Sequence, residues 1–126
     1  MNHLSAGATV DDSRPIFQQI AEQLENDIIA GVLPEETQVP STNELAAFLR
    51  INPATAGKGV NLLVDAGILY KKRGIGMFVA EGARARLVAQ RRDQFREQFV
   101  TPLLTEAGKL GITPAQLAAM IEEGAR

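Results

Sequence analysis

"NPATAGKGVNLLVDAGILYKKRGIGMFVA", residues 52–80, is the stretch on which the fold turns. Asn52 is a good N-cap and Pro53 a good first helical residue, because asparagine accepts from a free backbone N–H and proline has none to leave unsatisfied. Ala56, Gly59, Val60, Leu63 and Gly67 follow the three-four spacing of a buried stripe. The stretch therefore predicts a helix over 53–66, ended by Gly67, with Ala54, Thr55, Lys58 and Asn61 on its outward face. A glycine inside a helix costs about 1 kcal/mol relative to alanine. Gly59, on the buried stripe, implies tight approach to a neighbour, whereas Gly57 is expected exposed and lacks that reason. Beyond the helix, Ile68-Leu69-Tyr70 leads into Gly74-Ile75-Gly76 and Met77 to Ala80 leads out. A dinucleotide-binding loop would need glycine where Val79 stands and a helix after it, and a GxxxxGK[ST] loop is absent. What remains is a β-hairpin with Lys71, Lys72 and Arg73 on its flank and glycines at its tip.

Upstream, Ile16, Ile20, Leu24 and Ile28 recur every fourth residue with Phe17 beside them, which predicts a helix over 15–30 with Pro15 in its first turn and Gly31 as its stop. "VPSTNELAAFL" carries an S-x-x-E capping box, Ser41 and Glu44, ahead of Leu45, Phe48 and Leu49, and so a short helix over 42–50. Three helices, the last two joined by a short turn at Arg50-Ile51, followed at once by a basic hairpin, is the order of a winged helix-turn-helix. The fold class is mainly α with a small β-hairpin. In such an arrangement the 53–66 helix enters the groove of double-stranded DNA and the hairpin tip is the wing, with Lys71, Lys72 and Arg73 against phosphates beside it. Thr55 is placed to reach a base edge and Lys58, one turn later, a phosphate. Winged helices also serve as protein-interaction adaptors without specific DNA recognition, and that alternative stays open here; steep loss of duplex affinity with salt separates the two.

Charge supports a polyanion partner. Residues 1–49 carry one Lys/Arg against eight Asp/Glu, residues 50–96 ten against three, and residues 97–126 two against four, so a net charge of −2 conceals a central block of +7. Cysteine is absent, which fits a reducing interior and excludes disulfides and thiolate chemistry. No apolar run is long enough to span a membrane, and residues 1–13 lack a secretory pattern, so a cytoplasmic protein is expected. His3 is the only histidine and lies in a segment, residues 1–14, expected to be a disordered tail. With no carboxylate pair or serine beside a candidate base, neither catalysis nor a metal or other cofactor is expected.

The C-terminal part reads as helices outside the winged domain, 15–82. Val88, Phe95, Phe99, Leu103 and Leu110 share a narrow stripe when the chain advances by about 100° per residue, while Arg84, Arg86, Arg91, Arg92 and Arg96 load the N-terminal half. Pro102 is expected to kink or split this helix. After Gly111, Thr113 and Gln116 form a second capping box, with Pro114 in the first turn, Ile112 positioned to staple Leu117, and Leu117, Met120 and Ile121 as the apolar face. Residues 83–126 are thus expected to be a helical dimerisation segment centred on Phe95 and Phe99. The alternative is that the stripe folds back on its own protomer. Dimerisation is favoured because one recognition helix reads too few bases, whereas a dimer reads two half-sites.

"PIFQQIAEQLENDIIAG", "VPSTNELAAFL", "NPATAGKGVNLLVDAGIL" and "RGIGMFV", in this order and spacing, resemble the DNA-binding domain of the GntR family of bacterial transcription regulators. The resemblance covers residues 15–80 and implies a bacterial regulator that binds operator DNA. By position it implies DNA-facing roles for Ser41, Asn43, Asn52, Thr55, Lys58, Lys72, Arg73 and the wing glycines Gly74 and Gly76. Arginines usual in the family are missing at the positions of Asn43, Pro53 and Gly57, which implies weaker or more shape-dependent DNA binding. The short helical tail resembles that of the YtrA subfamily, whose members are dimeric and often repress transporter operons. Two short helices cannot enclose a metabolite alone, so no small-molecule effector is assigned.

Overall fold

The computed structural model of the chain describes residues 13–126. The expected tail lies outside these residues except for Ser13 and Arg14, and Arg14 ion-pairs with Glu22. The elements run α1 (Ile16–Ala30), α2 (Thr42–Leu49), α3 (Pro53–Asp65), β1 (Leu69–Lys72), β2 (Gly76–Val79), α4 (Ala83–Phe95), a π-helical segment (Arg96–Val100), α5 (Thr101–Lys109) and α6 (Pro114–Gly124).

Each boundary has a local cause. Pro15 sits at the N-cap of α1, one place before its expected first turn, and Gly31 ends the helix at φ +83°. Ser41 Oγ accepts from the Glu44 N–H, and the Ser41 N–H donates to the Glu44 carboxylate, completing the capping box. Arg50 closes α2 in the left-handed region at φ 56°, so the turn into α3 is made without glycine. Asn52 Oδ1 accepts from the Ala54 N–H at 2.8 Å and opens α3.

The chain divides after Val88 into two compact units. In the first, Leu24, Ile28, Leu33, Leu45, Leu69 and Val79 are fully buried, and Ala46, Ala56, Val60 and Leu63 join the α2 and α3 faces to the same core. On α2 Leu45 and Ala46 are buried, whereas the larger Phe48 is 45% exposed. Ala83 and Leu87 belong to this core as well, which moves the division later than the boundary expected after Gly82. Glu35 caps the start of α4, its carboxylate accepting from the Gly82 and Arg84 N–H groups, where an anion also complements the helix dipole.

Gly59 meets its expectation. A Cβ there would lie 2.7 Å from the Phe17 carbonyl oxygen and 3.0 Å from Ile20, so glycine lets α3 lie directly on α1. Gly57 is half-buried rather than exposed, with Thr42 of α2 beside it; a Cβ would stand 3.6 Å from Thr42 Cγ2, an ordinary contact.

In the second unit Ala107 and Leu117 are the buried apolar residues. Leu117, expected on a face between protomers, is therefore packed within its own chain. The long helix is neither broken nor capped at Pro102; it runs on through a π-helical turn over Arg96–Val100, where the Thr101 N–H reaches Arg96 C=O, ahead of the proline that has no N–H for the carbonyl four residues back. Thr113 and Gln116 form the second capping box, and α6 follows. Among the described residues, no helix is long and apolar enough to cross a membrane.

Candidate nucleic-acid interface

The exposed face of α3 is narrower than its sequence suggested. Ala54, Lys58 and Asn61 are exposed at helical spacing, whereas Thr55 is half-buried at one edge of that face and Gly57, beside Thr42 of α2, lies at the other. Asn52 spends its carbonyl oxygen on capping and keeps its amide N–H groups. Ser41 likewise uses its oxygen as acceptor and retains its hydroxyl proton as a donor, while Asn43 is exposed in the first turn of α2. The two helix starts thus present uncharged donors.

Lys58 is not a free cation. Its ammonium lies 4.1 Å from the centroid of the Phe17 ring, an attraction of about 0.5–1 kcal/mol at an exposed site. A phosphate competes with that tether easily, so the ring presets the lysine without removing it.

The hairpin is antiparallel, pairing Leu69 with Val79, Tyr70 with Phe78, Lys71 with Met77 and Lys72 with Gly76. A turn over Lys72–Ile75 closes it, with the Ile75 N–H donating to Lys72 C=O at 2.9 Å and Gly74 at φ +78°. Lys71, Lys72 and Arg73 are all exposed, but Lys72 Nζ lies 4.2 Å from the Phe78 ring centroid and 5.9 Å from that of Tyr70. Lys71 and Arg73 carry no such tether. The Tyr70 hydroxyl donates to the Glu36 carboxylate, and that hydrogen bond, with some burial and the nearby negative charge, raises the phenol above its ordinary value of 10.0.

Two of the central cations serve the fold. Arg84 Nε donates to Ile29 C=O at the end of α1, and the Arg86 guanidinium donates to Gly67 C=O just past α3, both at helix C-termini where positive charge is favoured. The +7 block therefore overstates the charge available to a polyanion.

Sequence reasoning missed the segment before α2. The Val39 N–H donates to Met77 C=O and the Val79 N–H to Thr37 C=O, so residues 37–39 line β2 as an extra edge, and Gln38 reaches the tip. Its one signal was the extended, proline-ended run before Ser41. The Phe17–Lys58 contact left no signal in the periodicity.

Of the dimerisation residues, Phe95, Phe99, Leu103, Leu110, Met120 and Ile121 are exposed, joined by Leu104; Val88 is half-buried. The Phe95 and Phe99 rings lie 5.5 Å apart on one face.

Residues 16–79 match the family described as "Bacterial regulatory proteins, gntR family". The chain is 31% identical over 111 residues to the HTH-type transcriptional repressor YtrA of Bacillus subtilis, covering 88% of this chain and 85% of that protein. A GntR-family regulator from Bacteroides thetaiotaomicron superposes with a TM-score of 0.73 at 33% identity, over 87% of this chain and 96% of that one. The DNA-binding domain of AraR bound to its operator ORX1 superposes with a TM-score of 0.52 at 30% identity, over 61% of this chain and 93% of that one. With its winged helix and short helical tail, this chain belongs to the GntR family and is a DNA-binding transcription regulator of the YtrA-like kind.

Proposed function

We propose that the protein is a homodimeric repressor that reads two half-sites of an operator, with α3 in the major groove and the hairpin against flanking phosphates or the minor groove. The observation that carries this reading is the combination, within one compact unit, of an exposed Ala54–Lys58–Asn61 face, uncharged donors at Asn52 and Ser41, and the exposed cations Lys71 and Arg73. Repression is the activity in the name of the B. subtilis relative, and operator binding is what the AraR structure holds.

Pairing of two chains is supported by size and by apolar surface. Residues 89–126 fall below the roughly 40 residues at which small units usually need oligomerisation or cross-links, and they leave Phe95, Phe99, Leu104, Leu110, Met120 and Ile121 more than half exposed. The protein acts in the cytoplasm, and a small operon, such as a transporter operon, is the target.

Genome-wide footprinting with the purified protein tests the reading. The expected result is a small set of two-fold-symmetric promoter sites with half-sites about one helical turn apart, or a multiple of that, and reduced transcription from those promoters on addition of protein. Salt-insensitive binding without enriched sites would instead support a protein-interaction adaptor.

A further inference from the structure

Gln38 belongs to no helix and to neither strand of the hairpin, yet its side chain bonds to the hairpin tip. Its Nε2 donates to Ile75 C=O at 3.0 Å, and its backbone bridges Phe78 in antiparallel fashion. Gly76, at φ +146°, has no Cβ, and a Cβ built there would collide with the Gln38 amide. The tip itself is a four-residue turn between strands of four residues, and an isolated hairpin of that size is marginal in water. Its position depends on what it is tied to. Ile75, between the two glycines, is 63% exposed, so its side chain provides little anchorage.

We propose that Gln38 is a positioning residue for DNA binding: its amide latches the Ile75 carbonyl and presets the wing, so that Lys71 and Arg73 meet phosphates without first ordering the tip. The latch uses a neutral side chain that needs no DNA contact of its own. Removing it leaves the charge unchanged and transfers the ordering of the tip to the binding step. The proposal rests on the reading that the wing contacts DNA.

The test combines two measurements on the full chain. Steady-state amide 15N heteronuclear NOEs at Gly74, Ile75 and Gly76 report the latch in the free protein. Duplex titrations at several salt concentrations compare Gln38→Ala, Lys71→Ala with Arg73→Ala, and all three together. Gln38→Ala is expected to lower the NOEs at the tip alone and to weaken binding about fivefold, the equivalent of ordering one backbone residue. In the wing-stripped background the same substitution is expected to cost nothing. Unchanged NOEs overturn the latch. An equal loss of affinity in both backgrounds overturns its action through the wing. Where wing stripping leaves affinity and salt slope unchanged, the wing reading fails and the proposal with it, and the NOEs tell that failure from a failure of the latch. Gln38→Asn, which keeps the amide but lacks its reach, repeats the test should Gln38→Ala fold poorly.

Discussion

Leu24, Ile28, Leu33, Leu45, Leu69 and Val79 of the winged helix are fully enclosed by their own chain, whereas Phe95, Phe99, Leu104, Leu110, Met120 and Ile121 of the C-terminal helices are more than half exposed. Both regions have regular, well-capped helices; α2 and α6 carry equivalent capping boxes. What differs is where the apolar face goes. Local sequence is sufficient to start a helix, but burial needs a partner surface, and the winged helix supplies three of its own through α1, α2 and the hairpin. In the C-terminal unit the intramolecular core amounts to Ala107 and Leu117. The teaching of the contrast is that a region can be locally well specified and still be incomplete as a folding unit.

The strongest way to break this contrast is to charge the exposed stripe. Phe95→Glu with Phe99→Glu, in the full chain, is expected to leave the winged helix folded, to give a monomer by light scattering, and to weaken operator binding by about 10²–10⁴, because the second half-site contact stops being intramolecular. A double variant that stays dimeric would remove the C-terminal helices from the interface. Truncation is a cleaner probe after Val88 than after Gly82, since the earlier cut takes Ala83 and Leu87 out of the core.

The two glycines of α3 sharpen the comparison inside the winged helix. Gly59→Ala pushes a methyl group into the Phe17 backbone and is expected to destabilise the protein by about 1–3 kcal/mol, as overpacking does. Gly57→Ala meets only ordinary contact with Thr42 and is expected to stabilise it by up to about 1 kcal/mol, through helix propensity. Thermal melts of the two variants should move in opposite directions. A Gly59→Ala variant that melts no lower than the parent would mean that α3 does not rest on α1 as closely as this packing requires.

A smaller effect separates base reading from positioning on α3. Lys58→Ala should weaken all operator variants by a similar factor, because an ammonium resting on Phe17 meets a phosphate as a point charge. Thr55→Ala should change the ranking of variants by roughly 1 kcal/mol at one base position per half-site. The half-buried setting of Thr55 limits its reach, so a ranking that shifts with Asn61→Ala and is untouched by Thr55→Ala would relocate base reading to the centre of the exposed face.

These tests also mark how far the sequence could be read. The caps at Ser41, Asn52 and Thr113 and the disturbance of the helix ahead of Pro102 were legible because each depends on neighbours within about one helical turn, and the buried role of Gly59 because it lies on the apolar stripe of its own helix. Gln38 bonding Ile75, thirty-seven residues away, and Glu35 capping α4, forty-seven residues away, depend on how the chain closes, which no local period encodes. The burial of Ala46 in place of Phe48 has a related cause: α2 is short, and either residue satisfies its apolar spacing until α3 is docked. Arg84 and Arg86 read as surface charge until the carbonyls of Ile29 and Gly67 were brought beside them. At the interface, the residue types and the exposed helix were legible, and the tethering of Lys58 and Lys72 to aromatic rings was not.

The smallest expected effect tests whether the hairpin is held by its own chain in the way the C-terminal stripe is not. Tyr70 donates to Glu36, and this hydrogen bond raises the phenol above 10.0, since ionising it would lose the bond and set two negative charges together. A group whose value is raised on folding contributes stability that is complete below its unfolded value and is lost as pH climbs through the folded one. The contribution should therefore be constant from neutral pH to about 9 and should fade above 10. Tyr70→Phe lacks both the bond and the titration, so its melting temperature should lie slightly below that of the parent at pH 7–9, with the gap closing as pH rises past 10. Lysines titrate in the same range, but they are common to both proteins and cancel in the difference. A gap that stays constant into the alkaline range would show that Glu36 does not hold the phenol, and the hairpin would then owe its position to the buried Leu69 and Val79, the backbone edge at residues 37–39 and Gln38.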